Sequence, residues 1–178
     1  MAAAGLLMTE PFFQPTRRLR QPDAQRLYDV ATYLDGIKGH YPPSDTGTSG
    51  LAVMKAACAL GYATSYSHAF GLAHALQALV LTPVITGVNW YDSFDKPDHD
   101  GTVTIGGHVR GGHEFEVVGL DVERQMVRAC NSWGSSWGDR GYFQFSFDTW
   151  DRLLDQRGDV ITTTRSSRRQ SNTKIGGR

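Results

Sequence analysis

The spacing of apolar residues changes at Pro83, and that change constrains the fold more than any other feature of the chain. Before it the intervals are helical. Asp45-Thr-Gly-Thr-Ser49 precedes Gly50-Leu-Ala-Val-Met-Lys-Ala-Ala-Cys-Ala-Leu60, and Gly61 closes the run. A hydroxyl at Thr48 or Ser49 can accept a hydrogen bond from the first free amides, and Gly61 suits a left-handed cap. This predicts a helix over 50–60, with Leu51, Met54 or Lys55, Cys58 and Leu60 turned toward a core. Gly71–Leu81 predicts a second helix, with Leu72, Leu76 and Leu79 on one stripe, and a shorter helical patch covers Ala24–Leu34. After Pro83 the pattern is that of strands, over 83–90, 102–105, 113–120, 126–131, 142–147 and 159–163, with a short helix at 149–154. Helices first and antiparallel strands later predict an α+β fold, an early helix packed on an antiparallel sheet or partly open barrel.

Length and composition bound the rest. The 178 residues, 40% apolar and 11% aromatic, suit one domain with a sizeable core. No apolar run reaches the roughly 20 residues that cross a bilayer. The opening Met1-Ala-Ala-Ala-Gly-Leu-Leu-Met8 lacks the basic start and long apolar stretch of a secretory signal. Two cysteines cannot form a disulfide framework. The 18 basic and 18 acidic side chains balance, which argues against a nucleic-acid domain as a whole. The balance is uneven along the chain. Residues 163–178 hold Arg165, Arg168, Arg169, Lys174 and Arg178 and no acid, so the remainder is acidic by the same five charges. Such a tail is either a solvated end or an arm that orders on an acidic partner or nucleic acid. The expected organisation is a Pro-punctuated lead-in over 1–40, a domain over 41–162 and a basic tail over 163–178.

The chemistry-bearing residues sit late in the chain. Gly111-Gly112-His113-Glu114 opens one predicted strand, and eighteen residues after His113 comes Asn131-Ser-Trp-Gly-Ser-Ser-Trp137-Gly-Asp-Arg-Gly141-Tyr-Phe143. In order and spacing these pieces resemble the papain-like cysteine peptidase superfamily. There a glycine-rich turn leads to the catalytic His, and an Asn heading an N-S-W-G-x-x-W-G-x-x-G run orients it. The resemblance implies a reduced papain-like fold, His113 as base, Asn131 as its orienting acceptor and Trp137 as a shield over their hydrogen bond. The logic is physical: a thiolate needs an imidazole beside it, and the imidazole needs a neutral acceptor to fix its ring.

The resemblance places the nucleophile at the start of the first helix, within a D-Q-G-x-x-G-x-C-like run. Laid without gaps on Asp45-Thr46-Gly47-Thr48-Ser49-Gly50-Leu51-Ala52, that run puts Ala52 at the thiol position and Thr46 at the oxyanion-hole position. A gap moves the nucleophile position to Gly50 or Ser49, again without a thiol. Cys58 lies six residues past Ala52, about 9 Å along a helix and too deep to feel its positive end. Cys130 precedes Asn131 on a strand and points to the opposite face; both read as small core side chains. Ser49 reads either as the helix cap or as a substitute nucleophile. Loss of hydrolysis is the default expectation.

Other candidates weigh less. Asp92, Asp95, Asp98, His99 and Asp100 crowd one loop but lack the ligand spacing of an EF-hand. His99 and His108 have no metal-ligand spacing with the cysteines, so no metal or cofactor is expected. Glu114 and Glu116 alternate with Phe115 and Val117 as in an ordinary half-exposed strand, and Trp90, Trp133 and Trp150 read as core or rim aromatics. Over about residues 41–162 the chain further resembles small papain-like proteins of actinobacterial phages that lack the thiol. That likeness implies a non-hydrolytic binding or virion-associated protein, with a polypeptide or other virion and capsid proteins as partners. Its expected place is the host cytoplasm or the virion. The competing expectation is an active peptidase or amidase acting on peptide or cell-wall bonds.

Overall fold

Local hydrogen bonding starts the helix at Gly50 where the Ser49 cap predicts. The computed structural model describes residues 20–164; the basic tail from Arg165 and the first part of the lead-in lie outside the described residues. Helix α1 covers Gln21–Leu34 and α2 covers Gly50–Ala59. Ser49 caps α2, its hydroxyl accepting from the Ala52 amide at 3.3 Å. Strand β1 (Ser65–His68) and helix α3 (Gly71–Leu81) precede β2 (Val84–Tyr91) and a 3-10 turn at Asp92–Asp95. Then follow β3 (Val109–Asp121), β4 (Met126–Cys130), β5 (Tyr142–Ser146), helix α4 (Phe147–Asp155) and β6 (Asp159–Thr164).

The six strands form one sheet in the order β1-β6-β2-β3-β4-β5, with every neighbour antiparallel. The α+β expectation therefore holds, with an open sheet rather than a barrel. Each sheet face carries its own core. Val84, Val88 and Trp90 of β2, Phe115 and Val117 of β3, Val127 and Ala129 of β4 and Phe143 and Phe145 of β5 pack under α3 and α4. On the other face Ile85 and Ile161 meet Leu27 and Ala31 of α1 and Ala52, Val53, Met54, Ala56 and Ala57 of α2.

Three expectations need correction. Residues 102–105 form no strand: Thr102 makes an isolated parallel bridge to Gln144, and glycines at 101, 106 and 107 bound the segment. Strand β1 was not expected, because Ser65-Tyr-Ser-His68 carries little apolar signal; it forms by pairing with β6 in register Ser67↔Thr162. Leu51 is exposed, since α2 buries its small residues against α1 and presents Leu51 outward. No helix among the described residues is long and apolar enough to cross a membrane.

Trp150 of α4 is fully buried, and its indole N–H donates to Thr86 Oγ1 at 3.3 Å. Trp150→Ala should lower unfolding free energy by about 3–5 kcal/mol, the usual cost of emptying a large aromatic site. Urea denaturation of the two proteins measures it.

Candidate functional site

Sheet register brings the site together. β2 pairs with β3 so that Val88 faces His113 and Trp90 faces Gly111. β4 ends at Cys130, and the next amide, Asn131 N–H, donates to Gly141 O at 2.9 Å, which continues the ladder for one more residue. Alternation then puts Val127, Ala129 and Asn131 on the face that also carries Phe115 and His113. The result is a contact of 2.9 Å between His113 Nε2 and Asn131 Oδ1.

The tautomer follows from the acceptor. Asn131 Oδ1 already accepts the Ser132 amide at 2.8 Å, which fixes the carboxamide with its oxygen toward the imidazole. An amide oxygen cannot donate, so Nε2–H is the donor and the Nδ1 lone pair is left free. Burial holds the His113 pKa below its usual value, while the bond to Asn131 works in the opposite sense.

Indoles surround this pair. Trp90 meets His113 edge to face at 4.6 Å between centroids, and Trp133 lies at 5.2 Å. Trp137 stands one ring further out, 5.2 Å from Trp133 and 6.1 Å from Trp90. Asp95 ties the group together: its carboxylate accepts the Trp90 indole N–H and its carbonyl the Trp137 indole N–H, each at 2.9 Å. The same carboxylate pairs with Arg110. A cleft of about 160 Å³ opens beside them, lined by Trp90, Arg110, Gly111, Gly112, His113 and Trp133.

The mouth of α2 meets β3 one residue beyond His113. A Cβ placed on Gly50 would lie 2.7 Å from Glu114 Oε1, 3.3 Å from Asp159 Oδ2 and 3.3 Å from Ile161 Cδ1. Gly50 is thus the residue of α2 that opens onto Glu114, on the face of β3 opposite His113. Ala52, the position given by the ungapped register, is 2% exposed, with its methyl in the α1–α2 core. Ser49 Oγ is engaged as the cap, and Thr46 Oγ1 donates to Gly47 O at 3.4 Å in the preceding loop. Neither thiol is brought to the imidazole. Cys58 packs against the α1–α2 cluster, and burial pushes its pKa up. Cys130 donates weakly to Asn131 O at 3.7 Å, and burial, followed by Glu116, pushes its pKa up as well.

Of the two acids expected to be half-exposed, Glu114 is so as a residue, whereas Glu116 is buried. Glu116 is 4% exposed, and Glu114 Oε1 is buried without a hydrogen-bond partner. Their face of β3 is covered near Glu114 by α2, a tertiary contact that strand period alone does not reveal. The acidic loop behaves as a set of turn caps: Asp98 Oδ1 accepts the amides of Asp100 and Thr102 at 2.9 and 2.7 Å. Among the described residues no cluster of three or more His, Cys, Asp or Glu could hold a metal ion.

A sheet packed on an early helix, with a His–Asn pair on neighbouring strands, defines the class of the papain-type peptidases. The model of the papain family cysteine proteases matches residues 29–153, and the chain belongs to that family. Among solved structures it is similar to the bromelain protease from Ananas comosus in complex with the E64 inhibitor. That match has a TM-score of 0.63 at 16% identity, covering 93% of this chain and 87% of that one. It is also similar to the Carica candamarcensis cysteine protease CMS1MS2, with a TM-score of 0.64 at 14% identity, covering 93% and 86%. Xylellain, a cysteine protease from Xylella fastidiosa, aligns with a TM-score of 0.50 at 20% identity, covering 92% and 69%. These likenesses establish the fold. No curated protein sequence matches the chain.

Asn131→Ala removes the acceptor that favours the protonated ring, so the His113 midpoint should fall further below its ordinary value. A depressed histidine stabilises the fold at neutral pH and loses that contribution as pH falls through the unfolded value of about 6.5 toward the folded one. Imidazole NMR titration of wild type and variant measures the shift.

Proposed function

We propose that this chain is a non-hydrolytic member of the papain family that keeps the His113–Asn131 pair without a nucleophile and works by binding a polypeptide. One observation carries the reading: none of the positions to which the family resemblance assigns the thiol holds one, and Gly50 at the helix mouth has no side chain at all. Around it Ser49 is the helix cap and Ala52 is in the core. Both thiols have raised pKa values and contacts elsewhere, so neither supplies the pre-formed thiolate that the chemistry needs. The imidazole keeps its orientation and a free Nδ1 lone pair, but no side-chain proton stands ready for it to take. What remains is a cleft with indole walls, two side-chain-free glycines and a cationic rim at Arg110, features that suit contact with an extended peptide.

The sequence resemblance supports a phage origin and a virion-associated role, with other virion or capsid proteins as partners. The five basic residues of the tail would supply contact to an acidic partner or nucleic acid. A truncation for testing that contact should start at Arg165, because β6 runs through Thr164.

The expected result with fluorogenic peptide libraries is no cleavage by the wild type. Gly50→Cys combined with Glu114→Ala should gain a thiol that iodoacetamide labels faster than Cys58 or Cys130. Ala52→Cys should stay unlabelled in the folded state, because its side chain faces the core. Mass spectrometry of labelled peptides separates these outcomes. Peptide cleavage by the wild type that is abolished by Ser49→Ala would replace this reading with a serine-type hydrolase.

A further inference from the structure

The row Asp159–Gly87–Glu114 runs across β6, β2 and β3, with Gly87 paired to both acidic residues. Cross-strand partners share a face, so the two carboxyls rise on either side of a residue that has no side chain. The gap is filled: a Cβ on Gly87 would lie 2.8 Å from Asp159 Oδ1, and the Gly87 amide donates to that oxygen at 2.9 Å. Above the gap sits Gly50, with Glu114 Oε1 and Asp159 Oδ2 both close to one point beside its Cα. The two half-buried acids and the first turn of α2 therefore meet at one place, with Glu114 Oε1 buried there. Among the described residues no lysine or arginine pairs with either carboxyl.

We propose that Glu114 and Asp159 form a proton-dependent latch that holds the mouth of α2 against the sheet, closed while the pair keeps a proton and released when it is lost. Two carboxylates between a helix turn and a glycine gap repel one another, and the buried Glu114 Oε1 has no donor to compensate its charge. The α2 turn at Gly50 packs on the pair from one side, and the β2 backbone at Gly87 bounds it on the other. Further along α2, its core contacts with Ile85 and Ile161 hold the helix, so release is confined to the first turn and the loop before it.

Among the described residues, the charged groups around the pair come from four elements. From β6 comes Asp159 itself, and from β1 His68, whose positive form favours the Asp159 charge. From β3 come His113, on the opposite face, and Glu116, two residues along on the same face. From α2 comes only the positive end of the helix, and β2 contributes Gly87. Burial, then Asp159, pushes Glu114 up to about 7, and burial raises Asp159 as well. The sign is the reverse of the usual carboxylate. A raised folded value gives stability that is fully present below the unfolded carboxylate range and lost as pH rises through about 7. His113 contributes with the opposite sign, and comparison of wild type with Glu114→Gln cancels it.

The test is amide hydrogen exchange in the full chain at Val53, whose N–H closes the first turn on Ser49 O at 3.0 Å, and at Gly87. After correction for intrinsic exchange, wild-type protection at both should fall on the order of tenfold between about pH 5.5 and about pH 8.5, one pK unit being tenfold in population. Glu114→Gln, neutral at every pH, should keep the low-pH protection throughout. Asp159→Asn is the second variant. It removes the charge that opposes Glu114 ionisation, so the Glu114 midpoint should move down toward the ordinary carboxylate range in ¹³C NMR. Flat wild-type protection, an identical fall in Glu114→Gln, or wild-type Glu114 titrating in the ordinary range would each overturn the latch. None of these readouts depends on whether the protein hydrolyses or binds a peptide.

Discussion

Both chemical features of this protein hang on the pleat of a single strand. Successive side chains of β3 leave the sheet on opposite faces, so His113 enters the aromatic core and Glu114 the seam with α2. The imidazole can meet Asn131 only because β4 presents its own inward residues on the same face, in the register that pairs Val117 with Ala129. A slip of one residue would exchange the two environments, placing a carboxylate among indoles and an imidazole under a helix. The sheet is protected from that slip by the burial of Phe115, Val117, Ala129, Phe143 and Phe145, which would all turn outward together.

The aromatic shell determines what the histidine can do. Trp90 and Trp133 exclude water from one side of the ring, and Asp95 holds the indole of Trp90 by its N–H. In such surroundings a charged imidazolium is costly unless an anion stands beside it, and a thiolate is the anion that the family's chemistry would supply. Burial accordingly favours the neutral ring. The pair is a fixed, oriented group in the wall of a cleft.

Much of this architecture was legible in the sequence, for reasons tied to particular residues. Ser49 and Gly61 marked the ends of α2, Gly71–Leu81 matched α3 in full, and the Gly-Gly-His and Asn-Ser-Trp-Gly runs located the His–Asn pair. What stayed hidden depended on contacts between distant elements. β1 carries polar residues and exists because β6 offers it an edge. The burial of Glu116 and of the Glu114 Oε1 atom was not visible in strand alternation and reflects coverage by neighbouring elements. The importance of Gly50 emerges only once β3 and β6 are set beside the helix. Trp133 had a signal, since it stands two residues after Asn131, yet only coordinates tell which indole of the run lies on the ring.

The shared occupancy of Gly50 and Glu114 has an evolutionary consequence. A cysteine arriving at Gly50 would meet the Glu114 carboxyl within 2.7 Å of its first side-chain carbon. Trimming Glu114 first would instead leave an unfilled hollow under the helix. Either first step is penalised before the second can reward it. The pair therefore acts as a ratchet, and a side chain could enter at Gly50 only by changing both positions in concert.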